Sequence, residues 1–77
     1  MDINNLVTMA NRIGDFYESM PDAQEAKQDI ATHLLKFWEP RMRRALLNHL
    51  NQSDTAALHD LVRQAVQEHQ ALLMPKG

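Results

Sequence analysis

The sequence predicts an all-α fold, a small compact bundle of three to four helices in a single domain spanning 1–77. Three observations carry that prediction. Apolar residues recur at helical spacing along the chain. Pro21-Asp22, Pro40 and Ser53-Asp54 punctuate it at helix-length intervals. No Ser/Gly linker, low-complexity tract or internal repeat separates the segments, which are predicted at about 2–19, 22–38, 40–51 and 54–73, with 74–77 as a frayed tail.

The first segment divides cleanly on a helical wheel. Ile3, Leu6, Val7, Met9, Ala10, Ile13, Phe16, Tyr17 and Met20 share one half, and Asn4, Asn5, Thr8, Asn11, Arg12, Asp15 and Glu18 share the other. A surface helix needs an apolar stripe only a little over ~100° wide, so this helix has apolar area to spare. Gly14 falls inside that arc, where a missing side chain admits a neighbouring helix at a propensity cost of ~1 kcal/mol.

Pro21 stops the first helix, and Asp22 with Glu25 forms a D-x-x-E variant of the capping box that opens the second. Ala23, Ala26, Ile30, Leu34 and Phe37 share its inward face. Leu35 points away and Trp38 sits at the margin, so the core does not obviously claim either. Pro40 suits the first position of a third helix, or else a kink in a continuous one, with Met42, Leu46 and Leu50 inward. Ser53 or Asp54 caps a fourth, whose stripe is Leu58, Leu61, Val62, Ala65, Val66, Leu72 and Leu73.

Composition narrows the function. A chain of 77 residues buries only ~60% of its unfolded surface. A core of this size rarely supplies more than ~3–5 kcal/mol, so good helix packing or a partner must support it. The chain has no cysteine, which excludes disulfides, thiolate zinc sites and iron–sulfur ligation and suits a reducing cytoplasm. The N-terminal segment lacks the basic and apolar regions of a signal peptide, and no apolar run is long enough to cross a bilayer, so the expected location is cytoplasmic. A net charge of −2 with mixed signs gives no overall field toward nucleic acid or membrane.

Catalytic and metal sites find little support. No two of His33, His49, His59 and His69 stand three or four residues apart, the spacing a helical metal site needs, and His69 falls mid-stripe as a partly buried, hydrogen-bonded core histidine. The hydroxyl residues fall mostly at helix ends or on polar faces. With only Gly14 and Gly77 there is no phosphate-cradling loop. The expectation is no catalytic, cofactor-binding or metal-ligating residue in this chain.

Binding chemistry concentrates in Phe37-Trp38-Glu39-Pro40-Arg41-Met42-Arg43-Arg44, which holds the only Trp and three of the eight basic residues. Arginines at a helix N-terminus face an unfavourable dipole of up to ~1 kcal/mol each. Glu39 offsets part of that, and the rest falls either to solvent, as in an ordinary solvated charge cluster, or to acidic groups or carbonyls on a partner. Trp and Arg dominate many interfaces, which marks Trp38 and Arg41 as the leading anchors. A basic helix start also suits a small nucleic-acid-binding domain, although no second Lys/Arg stripe supports it. The half-apolar first helix offers another alternative, a self-associating homodimer of the isolated chain.

Met9-Ala10-Asn11 with Ile13 and Phe16, then Met20-Pro21-Asp22, Ile30-Ala31, His33 and the segment from Phe37 to Arg44, resembles the delta subunit of NAD-dependent, molybdenum-containing formate dehydrogenase. The likeness runs over residues 6–50. It implies a non-catalytic accessory subunit that supports assembly or stability of a complex oxidising formate and reducing NAD. Molybdenum cofactor, iron–sulfur clusters and FMN would lie on larger subunits, and the partner would be the molybdenum-containing catalytic subunit. Carried over residue by residue, the partner-binding surface is His33, Phe37, Trp38, Pro40, Arg41 and Met42, with Arg44 beside them.

Overall fold

The computed structural model describes residues 2–52 and 57–75, which form five helices and no strand. Helix α1 (Ile3–Tyr17) opens on Asp2, whose carboxylate accepts the Asn4 N–H at 2.9 Å. It ends two residues short of the predicted boundary, where the Glu18 N–H closes on the Gly14 carbonyl. Helix α2 (Ala23–Phe37) is capped by Asp22, which accepts the N–H groups of Gln24 at 2.9 Å and Glu25 at 3.3 Å. These bonds satisfy two of the donors that a helix start leaves without intrahelical partners.

The corner between the second and third segments is a true break. Pro40 disfavours the α conformation at Glu39, and Trp38 is already extended, with φ −91° and ψ 136°. Helix α3 (Pro40–Gln52) then begins on the proline, and the Arg43 N–H bonds to the Glu39 carbonyl. Two separate helices result.

The predicted fourth helix is interrupted. Its expected caps, Ser53 and Asp54, lie outside the described residues, as do Lys76 and Gly77 of the predicted tail. Helix α4 (Asp60–Glu68) starts after His59, whose Nδ1 accepts the Leu61 N–H at 3.1 Å. At His69 the backbone leaves the helix (φ −116°, ψ 26°), and a short helix α5 (Gln70–Leu73) follows. His69 is half-buried, as expected, but it stands at the junction of two helices and not within one continuous stripe. The break sends Leu73 into the core and leaves Leu72 half exposed.

Helix α2 packs chiefly on α4, α1 lies against α2, α3 and α4, and α5 closes against α2, α3 and α4. All five helices feed one apolar cluster, centred on Leu6, Ile30, Leu34, Leu46, Leu47, Val62, Val66 and Leu73. Two aromatic assignments reverse. Trp38 is only 6% exposed and belongs to the core, whereas Phe37, placed inward by the wheel, is 72% exposed. The wheel assumes a helix that continues. Here the extended step at Trp38 re-aims the indole into the core at the helix end, and Phe37 stays on an outer turn. Ala23, also read as inward, is exposed.

Lys27 is buried on α2 and reaches Glu68 of α4, with Nζ 2.7 Å from the carboxylate. The lysine side chain is 8% exposed and the glutamate 43%, so the cost of desolvation falls on one partner. Glu68→Ala should leave a buried ammonium unpaired and cost ~1–2 kcal/mol, while Lys27→Met, which removes that charge in favour of packing, should stay within ~1 kcal/mol of wild type. Urea denaturation of both variants checks the asymmetry.

Candidate functional site

Helices α1 and α2 leave between them an apolar cleft of about 430 Å³, lined by Arg12, Ile13, Phe16, Tyr17 and His33. The helical repeat builds it simply. Arg12 and Phe16 stand one turn apart on α1, and His33 and Phe37 one turn apart on α2, so each pair lies along one face. Phe16 meets Tyr17 edge-on, with ring centroids 5.0 Å apart at 86°. The His33 ring lies 4.9 Å from that of Phe37 at a tilt of 44°. Phe16 is 75% exposed, so both phenylalanines of the chain stand in solvent while its one tryptophan is buried.

The residues proposed from sequence as partner-binding spread over this face and the neighbouring corner. His33 lines the cleft wall, and Phe37 stacks beside it. Pro40 and Arg41 are exposed at the start of α3, Arg44 is half-buried, and Met42 packs partly against the core. Trp38 supports the corner from inside. The three-arginine cluster is also divided, because Arg43 turns inward and donates from Nη1 to the Leu73 carbonyl at 3.3 Å. That contact satisfies one donor of a guanidinium whose Nε is buried without a hydrogen-bond partner among the described residues.

Arg12, Ile13, Phe16 and Tyr17 line the cleft without having been singled out by the sequence as candidate site residues. The available signal was the width of the α1 apolar arc. Leu6, Val7, Ala10 and Gly14 are buried, Ile13 and Tyr17 are partly buried, and Met9 and Phe16 are left as the surplus edge.

A second cluster lies on the opposite side of α1, where Asp15, Glu18 and His59 bring three potential ligand atoms within 4.8 Å of one another. Its hydrogen bonding gives it another role. His59 Nδ1 accepts from the Leu61 backbone, so the proton of the neutral ring sits on Nε2, which donates to Glu18 at 3.0 Å with Asp15 at 3.5 Å. Asn11 completes the arrangement, donating to the Ala57 carbonyl at 2.9 Å and accepting the His59 N–H at 2.7 Å. The cluster latches α1 onto the start of α4.

The groups that the resemblance assigns to larger subunits do not fit this chain. Iron–sulfur ligation has no thiolate to use, because there is no cysteine. The cleft offers one guanidinium and one imidazole at an apolar surface, with no glycine-rich loop to approach a flavin or dinucleotide phosphate. Among the described residues, no helix is long and apolar enough to cross a membrane.

A search of curated proteins and one of solved structures each returned no significant match. The family comparison does match, over residues 5–66, to NADH-dependent formate dehydrogenase delta subunit FdsD. That span includes the whole cleft and the α2–α3 corner and omits α5. On a match covering most of its length, this chain belongs to the FdsD family of NADH-dependent formate dehydrogenase delta subunits.

Proposed function

We propose that this chain is a non-catalytic accessory subunit that supports the assembly or stability of a cytoplasmic, molybdenum-containing formate dehydrogenase by docking onto its larger subunits. The observation that carries the reading is the exposure of Phe16 and Phe37 on one side of a family member of this size. Burying a large apolar side chain contributes ~1.5–3 kcal/mol, so two exposed phenylalanines forgo an amount comparable with the stability of the whole domain. A partner recovers it.

The docking surface combines the α1–α2 face with the α2–α3 corner. His33 and Phe37 join the two, Pro40, Arg41 and Arg44 extend the surface along α3, and Met42 and Trp38 hold the corner rigid from beneath. Arginines beside exposed aromatics match the composition of interface hot spots. Redox chemistry belongs to the larger subunits, where molybdenum, iron–sulfur and flavin groups would carry electrons from formate to NAD.

Affinity capture of the tagged full-length chain from its host grown on formate tests the reading. The expected eluate contains the larger formate dehydrogenase subunits, identified by mass spectrometry, and reduces NAD when formate is added. Recovery of this chain alone from a lysate with active enzyme would refute it.

A further inference from the structure

We infer that the α1–α2 cleft is a socket for an apolar segment flanked by carboxylates, carried by a larger subunit of formate dehydrogenase; this inference rests on the accessory-subunit reading above. The cleft is apolar in its walls, through Ile13, Phe16 and Tyr17, and cationic or neutral at its rim, through Arg12 and His33. Among the described residues no carboxylate lines it, although the chain as a whole carries a net charge of −2. Local charge therefore runs against global charge at this apolar opening, which selects an acidic partner surface and disfavours a basic one.

The same rim argues against a second copy of this chain as the occupant. A two-fold symmetric contact centred on the cleft would set the two Arg12 side chains near each other, and the cleft lining itself would supply no carboxylate to either. A segment of a larger subunit has no such restriction. It can insert an apolar side chain between Phe16 and Tyr17 on one wall and His33 on the other, with a carboxylate reaching Arg12. The remaining exposed apolar residues at the C-terminal end, Leu72 and Met74, fall outside the span matched by the family, whereas every residue lining the socket falls within it.

A competition experiment separates the alternatives. Wild-type and variant chains carrying different tags are co-expressed with the larger subunits, and the ratio of the two in the purified complex is measured. Because Phe16 and Arg12 are exposed, Phe16→Ala and Arg12→Glu should keep wild-type helical content by circular dichroism. Phe16→Ala should be under-represented by tenfold or more, as expected for an interface anchor. Arg12→Glu should be excluded more strongly than Arg12→Ala, and Leu72→Ser should incorporate on a par with wild type.

Equal incorporation of the Phe16 and Arg12 variants would overturn the socket while leaving the accessory-subunit reading in place. Failure of the wild-type chain to bring down any larger subunit would overturn both. Mutual recovery of two differently tagged wild-type chains without the larger subunits, abolished by Phe16→Ala, would overturn the socket by identifying a second copy as its occupant.

Discussion

Trp38→Ala is expected to unfold most of the protein. The indole is 6% exposed and belongs to the core cluster at the point where α2 gives way to α3. Truncating a buried Trp to Ala costs ~3–5 kcal/mol, because transfer free energy is lost and the cavity collapses only in part. A core this small supplies ~3–5 kcal/mol in total, so the two quantities nearly cancel. Far-UV circular dichroism against urea should show a variant with little cooperative transition, whereas Trp38→Phe should retain one at a lower midpoint. Trp38 is also the only tryptophan, so its fluorescence reports the same environment in the wild type. A loss below ~1 kcal/mol for the alanine variant would mean that the side chain is not part of the packed core.

Gly14→Leu should be nearly as damaging, for the opposite reason. A Cβ at this position would lie 2.7 Å from Cγ of His59 and 2.8 Å from Cγ2 of Val62. Neither neighbour can move aside easily. The His59 ring is held at Nδ1 by the Leu61 N–H and at Nε2 by Glu18, and Val62 is fully buried. Overpacking costs ~1–3 kcal/mol, and a leucine side chain at this contact should reach the upper end. For Gly14→Ala, a helix-propensity gain of ~1 kcal/mol offsets part of a smaller clash, so a net loss of about 1 kcal/mol is expected. Chemical denaturation of the two variants tests the order. A Gly14→Ala protein more stable than wild type would show that α1 and α4 are not in close contact there.

Much of this architecture was legible in the sequence. Asp22 behind Pro21, Pro40 at a helix start, and the stripes containing Leu6, Ala10, Ile30, Leu34, Leu46, Val62 and Val66 are local signals, and local signals decided those elements. The close approach at Gly14 was readable for the same reason, since a glycine in an apolar arc has few other uses. What the wheel could not reach were the places where the helix stops. The extended backbone at Trp38 exchanged the expected environments of Trp38 and Phe37, and the break at His69 separated Leu72 from Leu73.

The candidate site was half visible. His33 and Phe37 came from the family resemblance, and the structure adds the α1 wall that lines the cleft with His33. That wall was hidden because Ile13, Phe16 and Tyr17 fit a single apolar arc with the true core residues, and only the packing of α2, α3 and α4 decides which part of the arc is covered. The arginine run was overcounted on similar grounds. Arg43 holds the Leu73 carbonyl, thirty positions away along the chain, a contact no local pattern predicts.

Oxidative footprinting of the chain, free in solution and within the purified formate dehydrogenase complex, tests the central claim most directly. Docking through the α1–α2 face predicts that Phe16 and Phe37 react readily in the free chain and are protected in the complex, while Leu72 and Met74 react equally in both. Unchanged reactivity of Phe16 and Phe37 in a complex that contains this chain would contradict it.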